Sequence, residues 1–85
     1  MENTTNQEMM DDILAIFSAF IAEYFDGIDP FQIELETKIQ DLTDDIGKME
    51  LVKDEIYTFY KVEKPEISFH TVGELVDDIA AKLRA

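Results

Sequence analysis

Apolar residues recur at steps of three and four in three stretches of this 85-residue chain, and helical spacing of this kind most limits the fold. The first stretch runs from Thr5 to Phe25 and predicts a long amphipathic helix. Thr5 and Glu8 match a capping box at its start. Gly27 suits the end of a helix, and Pro30 prevents a simple continuation.

The second stretch predicts a helix that begins near Asp44 or Asp45 and ends, with its trailing turn, by Pro65. The segment "EIYTFYKVE" is rich in β-branched and aromatic residues and fits a short strand by propensity, but the sequence offers no partner strand. The predicted apolar stripe consists of Ile46, Met49, Val52, Ile56, Phe59 and Tyr60. The polar residues expected to face outward are Lys48, Glu50 and Asp54.

A connection of about fifteen residues joins these two helices and is longer than most loops in compact domains. Apolar residues are spaced along it, so we expect a loop held against the core rather than a free linker. These residues are Phe31, Ile33, Leu35, Ile39 and Leu42.

The last third of the chain predicts a final helix that begins with a capping box of Thr71 and Glu74. Its apolar positions are Val72, Leu75, Val76, Ile79 and Leu83. Lys82 and Arg84 place cations at its negative end, whereas Gly73 lowers the helix propensity of its first turn.

These patterns together predict an all-α fold, a small antiparallel helical bundle of three main helices with a long first loop. A short additional helix has room at "EISF" (66–69). We expect a single domain over residues 1–85, of which residues 1–6 form a flexible N-terminus.

Charge and composition limit the function before any motif is considered. Twenty acidic residues against seven basic ones give a formal net charge of −13, which disfavours nucleic acid and anionic membranes and favours a basic partner. The chain has no cysteine, so disulfides, zinc-thiolate sites and thiol nucleophiles are excluded. Neither a signal peptide nor a transmembrane span is evident, and we expect a cytoplasmic monomer.

Three strings resemble the acyl carrier protein family, in order and at nearly the right separations over about residues 7–84. They are "IELETKIQDL" (33–42), "MELV" (49–52) and "TVGELVDDIAAKL" (71–83), of which the last is the most specific. The resemblance implies a helical bundle with a long first loop. It also implies an Asp-Ser-Leu motif at the start of the second helix, where the serine receives the phosphopantetheine arm of coenzyme A and carries acyl groups as thioesters.

The chain departs from that motif at the serine. An ungapped match gives Asp45, Ile46 and Gly47, with Ile46 at the serine position. A match with a one-residue deletion, which we prefer near the helix start, gives Asp44, Asp45 and Ile46, with Asp45 there. The match with the deletion buries Ile46, Met49 and Val52 on one side and keeps Glu50 in water, whereas the ungapped match puts Glu50 where the family usually has an apolar residue. Neither supplies a hydroxyl, so we expect no phosphopantetheine at this position and no cofactor.

Three hydroxyl side chains are alternative acceptors. Thr43, one or two residues early, is the first alternative, ahead of Ser18 and Ser68. Asp45 has an oxygen, but an acyl phosphate link would hydrolyse readily. Two interpretations of Asp45 stay open, a charged substitute for the family's phosphoserine or an ordinary N-cap aspartate.

The resemblance also implies a docking face, because partner enzymes bind carrier proteins through basic patches at the start and outer side of the second helix. The acidic residues retained there are Asp41, Asp44, Asp45, Glu50, Asp54 and Glu55, with Lys48 and Lys53 diluting the charge. Docking by opposite charge is expected to be weak, fast and sensitive to salt. An ordinary solvated face is the alternative, since twenty acidic residues cluster in several places.

Other chemistry is not expected. The string "DLTDDIGKMELV" lacks the glycine and the glutamate of a calcium loop, so we expect no specific metal site, only loose divalent binding that raises the Tm. His70 is expected at the surface. Asp77 and Asp78 adjoin on one helix instead of converging across a cleft, so we do not expect an enzyme.

Aromatic residues have two interpretations. They are ordinary core, or they fill the space in which carrier bundles hold acyl chains. The residues concerned are Phe17, Phe20, Phe25, Phe59 and Tyr60.

Three functions stay open. The first is a non-catalytic, carrier-like module that docks with basic surfaces of acyl-processing enzymes of the fatty acid or polyketide type. The second is a working acyl carrier with phosphopantetheine on an atypical acceptor such as Thr43. The third is an unrelated acidic helical interaction protein.

Overall fold

The computed structural model describes residues 2–84, with the side chains of residues 7–84. Its helices are α1 (Glu2–Tyr24), α2 (Ile39–Leu42), α3 (Ile46–Tyr60) and α4 (Val72–Arg84), with a 3-10 turn at Pro30–Gln32. Residues 2–84 contain no β-strand, which confirms the predicted all-α class. The strand alternative for "EIYTFYKVE" was wrong, because helix α3 continues to Tyr60.

Helix α1 begins earlier than predicted, at Glu2 instead of Thr5. It ends at Tyr24, and Gly27 follows with a φ of +89°, a left-handed conformation that glycine adopts without steric cost. The side chains of residues 1–6 lie outside the described part of the chain. The capping box predicted at Thr5 and the flexible N-terminus predicted for residues 1–6 lie there as well.

Helix α1 packs against both α3 and α4, and the core lies between them. The largest fully buried side chains come from all three of these helices: Ile13, Phe17, Ile21, Val52, Ile56, Tyr57, Val72, Leu75, Val76 and Ile79. In the long first loop, Ile33 is buried and Leu35, Ile39 and Leu42 are half-buried against this core, which confirms that the loop is held down. Phe31 was predicted to join them, but it is 95% exposed.

Helix α3 buries the predicted stripe in part: Met49, Val52 and Ile56 are buried, and Tyr60 is half-buried. Ile46 is 78% exposed and Phe59 is 54% exposed, whereas Lys53 and Tyr57 are buried. The Lys53 ammonium donates to the Ile67 carbonyl oxygen at 3.1 Å, and the Tyr57 hydroxyl donates to a carboxylate of α4 at 2.6 Å. Because both polar tips have partners, the long apolar parts of these side chains can enter the core. Phe59 therefore does not fill the interior of the bundle.

The short helix lies in a different place from the predicted one. Residues 66–69 contain no helical turn, whereas α2 lies within the long first loop. Helix α3 ends where Lys61 adopts a left-handed φ of 58° and donates its amide to carbonyls of the last turn. In the segment that follows, lysine ammonium groups donate to the carbonyl oxygens of Glu63 and Ile67.

The N-terminus of α4 is joined to the long first loop through the backbone. The amides of Val72 and Gly73 donate to the carbonyl oxygens of Thr37 at 2.9 Å and Leu35 at 2.8 Å. A Cβ atom on Gly73 would lie only 2.9 Å from the Leu35 oxygen, so this close approach requires glycine.

The cap of α4 follows the prediction in part. The Thr71 hydroxyl accepts from the Glu74 amide at 3.2 Å, as expected of an N-cap residue. The Glu74 carboxylate accepts from the amide of His70 at 2.7 Å, one residue before the cap. The amide of Ile39, the first residue of α2, donates to the His70 carbonyl oxygen at 3.0 Å and so holds His70 beside α2.

Candidate functional site

The start of α3 is built by two side-chain hydrogen bonds. Asp45 is the N-cap residue, and its Oδ1 accepts from the Lys48 amide at 3.0 Å. The Thr43 hydroxyl oxygen accepts from the Asp45 amide at 3.0 Å and fixes the turn before the helix. The predicted helix start near Asp44 or Asp45 is confirmed, and capping accounts for Asp45. Its second interpretation, as a substitute for phosphoserine, stays a prediction.

Asp45 and Ile46, the residues predicted from the resemblance to stand in place of a serine, offer no stable acceptor for a phosphodiester. Ile46 offers only an alkyl side chain and is 78% exposed, whereas Met49 and Val52, which the match with the deletion also predicted to be buried, are buried. Asp45 uses a carboxylate oxygen in the helix cap. Thr43 is half-buried, and it is the nearest hydroxyl upstream of both residues.

A cleft of about 230 Å³ opens beside Thr43, between α2, the start of α3 and the segment that precedes α4. Its walls include Ile39, Ile46, Met49, Lys53, Phe69 and His70. The Lys53 ammonium lies 5.2 Å from the centre of the Phe69 ring and 3.5 Å from a Glu50 oxygen. The sequence placed Lys53 on the outer face, which was wrong, whereas His70 is exposed as expected.

The six predicted docking carboxylates fall into two groups. Asp41, Asp44 and Asp45 are exposed around the start of α3. We call these three the N-terminal acidic group, because they lie around the N-terminus of α3. Among the residues that the structure describes, no lysine or arginine forms an ion pair with them.

Glu50 and Asp54 form the second group, which we call the paired acidic group. The Lys64 ammonium lies 3.0 Å from Glu50 Oε2 and 2.5 Å from Asp54 Oδ1. Glu55, the sixth carboxylate, is exposed and lies beside Tyr24, where burial and the negative charge of Glu55 raise the pKa of the phenol.

The contact between Lys64 and the paired acidic group shifts the pKa values of Glu50 and of Lys64 itself. Its hydrogen bond to Glu50 holds the pKa of that carboxyl below the ordinary value of 4.5, against a smaller effect of burial. The hydrogen bonds to Asp54 and Glu50 raise the pKa of Lys64 above 10.5. The ion pairs therefore persist across the neutral range of pH.

A further polar cluster joins α3 to α4. The Tyr57 hydroxyl donates to Asp78 Oδ2, and Lys82 lies 3.1 Å from the same oxygen. Burial, with the charge and hydrogen bond of Asp78, raises the pKa of Tyr57. Asp78 is thus committed to a structural contact rather than to an acid–base pair with Asp77.

Sequence reasoning missed the roles of Lys53 and Lys64. The Lys53 pairing had a local signal, because Glu50 lies three residues before it on the same helix. Lys64 lies 14 residues after Glu50 and 10 after Asp54, so no helical spacing pointed to this contact.

Comparison of the chain with protein-family models, curated proteins and solved structures gives no match. The resemblance to acyl carrier proteins therefore depends on its three strings alone. Among the helices of residues 2–84, none combines the length and apolar character needed to cross a bilayer. Within the same part of the chain, histidine and carboxylate side chains do not gather in threes as a metal ion would require.

Proposed function

We propose that this protein is a carrier-like binding module that docks with acyl-processing enzymes and carries no phosphopantetheine. The observation that supports it is the start of α3. Three exposed carboxylates surround a helix start that offers Asp45 and Ile46 where a carrier has its serine. Such a module would act in the cytoplasm, bind as a monomer and perform no catalysis itself.

The acidic start of α3 suits a partner with a basic surface. Unpaired carboxylates on a chain of net charge −13 attract a cationic surface over roughly one Debye length, about 8 to 10 Å at physiological ionic strength. Exposed charges contribute more to the rate of encounter than to the lifetime of a complex. Docking through the N-terminal acidic group should therefore be fast and sensitive to salt.

Intact-protein mass spectrometry tests whether the protein accepts a phosphopantetheine arm. The protein is incubated with coenzyme A, magnesium and a broad-specificity phosphopantetheinyl transferase, beside an ordinary acyl carrier protein as the control. We expect an unchanged mass for this chain and a phosphopantetheine adduct on the control. An adduct on this chain would overturn the proposal, and loss of that adduct in Thr43→Ala would identify the acceptor.

Binding to a purified ketosynthase with a basic docking surface tests whether the acidic start of α3 is a docking face. Asp44→Asn removes one charge from the N-terminal acidic group, and Asp77→Asn removes one exposed charge from α4. We expect Asp44→Asn to weaken binding by about two- to threefold and Asp77→Asn to change it less. Equal effects would mean that only the net charge is recognised, and no binding would contradict the docking proposal.

A second candidate is a working carrier with its arm on Thr43. The observation that favours it is position, because Thr43 lies at the wall of the cleft and the cleft is partly apolar. The hydroxyl accepts from the Asp45 amide and keeps its own proton to donate. The adduct experiment above separates this candidate from the first.

A further inference from the structure

The segment between α3 and α4, residues 61–71, is held by lysine side chains. The Lys82 ammonium donates to the Glu63 carbonyl oxygen at 2.6 Å, and the Lys53 ammonium donates to the Ile67 carbonyl oxygen at 3.1 Å. Lys64 lies between these two anchored carbonyls, and its own ammonium reaches back to α3. Three lysines thus fasten a segment without helical structure.

We propose that Lys64 is an autoinhibitory cation, which occupies Glu50 and Asp54 until a basic side chain of a partner displaces it. This inference rests on the proposed function, since it concerns regulation of the same docking face. In this proposal the N-terminal acidic group of α3 is open to a partner, whereas the paired acidic group is occupied by Lys64 of the same chain.

The exposure of the contact makes displacement possible. The Lys64 side chain is 31% exposed, and those of Glu50 and Asp54 are 47% and 56% exposed. Water and ions reach all three groups, so each ion pair is weak by itself and exchanges readily. An incoming ammonium or guanidinium would meet Asp54 and the Oε2 atom of Glu50 without first opening the core, while Glu50 Oε1 stays 3.5 Å from the Lys53 ammonium.

The anchors on either side make displacement local. If Lys64 moves away, the carbonyls of Glu63 and Ile67 keep their hydrogen bonds to Lys82 and Lys53. Lys53 is 5% exposed, so this anchor is shielded from the same competitors. The segment therefore stays in place while its central side chain leaves the docking face.

The order of contacts in docking follows from this arrangement. A basic partner meets Asp41, Asp44 and Asp45 first, because these carboxylates are exposed and no lysine neutralises them in the described structure. Extension of the contact along α3 then requires exchange of Lys64 for a cation of the partner. The exchange lowers the affinity and raises the selectivity for partners with two separated basic patches.

The test compares two lysine substitutions with the same effect on net charge. Lys64→Gln removes the internal cation. Lys61→Gln is the control, because Lys61 is exposed and forms no ion pair among the described residues. Each variant is titrated with a fluorescent octalysine peptide at 50 mM salt, after a thermal melt has shown that it is folded.

We expect Lys64→Gln to bind octalysine about fivefold more tightly than the unaltered chain, and Lys61→Gln less than about twofold. The gain should vanish when Glu50→Gln and Asp54→Asn are added. Equal gains in both lysine variants would overturn this inference and leave the docking proposal standing. Absence of octalysine binding by the unaltered chain and by Lys64→Gln would overturn both.

Nuclear magnetic resonance supplies a second readout that a merely stabilising lysine would not give. The ammonium signal of Lys64 should move toward that of a free lysine as octalysine is added, while the signal of Lys53 should not move. A Lys64 signal that is unchanged at saturation would show that the partner does not displace it.

Discussion

The two main helices that follow the loop segments, α3 and α4, both begin with a side-chain cap, but only α4 adds backbone hydrogen bonds to a distant segment. At the start of α4, backbone carbonyls of the long first loop accept the amides of Val72 and Gly73, and Val72 is fully buried. At the start of α3, the cap is a side chain, Asp45, and the first helical residue is Ile46, which is mostly exposed. Thr71 also caps α4 locally by accepting the Glu74 amide, so the start of α4 combines a local cap with tertiary hydrogen bonds, whereas the cap of α3 is local.

The N-terminal end of α4 is thus part of the packed structure, whereas the N-terminal end of α3 remains accessible to ions and partners. Where amides of a helix end donate to other backbone, those amides are not available to a ligand, and changes there should destabilise the protein. A helix end capped by one exposed side chain can tolerate change, and its carboxylates remain open to ions and partners. The predictions below proceed from the largest expected effect to the smallest.

The strongest test is a pair of glycine-to-alanine substitutions. Gly73→Ala should destabilise the protein by about 2 kcal/mol, because the new Cβ would press on the Leu35 carbonyl at 2.9 Å. Gly47→Ala should stabilise it by about 0.5 to 1 kcal/mol, since its nearest contact is an ordinary 3.5 Å and alanine has the higher helix propensity. Urea unfolding measures both, and a stabilising Gly73→Ala would show that the two helix starts do not differ as described.

The next effect concerns the cap of α3. Asp45→Ala should cost about 1 kcal/mol of unfolding free energy, because the Lys48 amide loses its acceptor, whereas Asp45→Asn should cost a few tenths. Urea unfolding at neutral pH compares the two variants. If Asp45→Asn were as destabilising as Asp45→Ala, the charge of Asp45 and not its capping bond would be the stabilising feature.

A smaller effect is expected from divalent cations. Magnesium at millimolar concentration should raise the Tm by about 3 °C by relieving repulsion among carboxylates of a chain with charge −13. Backbone amide shifts should concentrate at residues 41–45 and leave residues 71–74 unchanged. Sodium chloride at equal ionic strength is the control, and an equal rise in both salts would indicate screening without binding.

The smallest effect is the pH dependence of the Lys64 contact. Because the folded pKa of Glu50 is lowered, its contribution to stability is present above the ordinary value of 4.5 and is lost as the pH falls through the folded pKa. Because the folded pKa of Lys64 is raised, its contribution is present below 10.5 and is lost as the pH rises through the folded pKa.

Carboxyl titration by nuclear magnetic resonance checks this dependence. Lys64→Gln should raise the pKa of Glu50 toward its ordinary value, and Lys61→Gln should leave it nearly unchanged. A Glu50 pKa that does not respond to Lys64→Gln would show that the ion pair is absent in solution.

The sequence by itself determined the helical class, the long loop held to the core and the caps at Asp45 and Thr71. Each of these depends on residues within a few positions of one another, through the helical repeat or a capping bond. The absence of a serine near Asp45 is likewise a local fact. For this reason the candidate site could be located before its geometry was known.

The sequence predicted the centre of the buried face of α3, at Met49, Val52 and Ile56. Only the tertiary structure decided which residues flank that centre, where the short helix lies and why Gly73 is a glycine. Lys53 and Tyr57 enter the core instead of Ile46 and Phe59 because their polar tips meet partners 14 and 21 residues away. Lys64 likewise contacts residues that lie 14 and 10 positions away along the sequence. A local pattern records the spacing of apolar residues, but it does not record which distant atom satisfies a buried polar group, and that is settled when the helices pack.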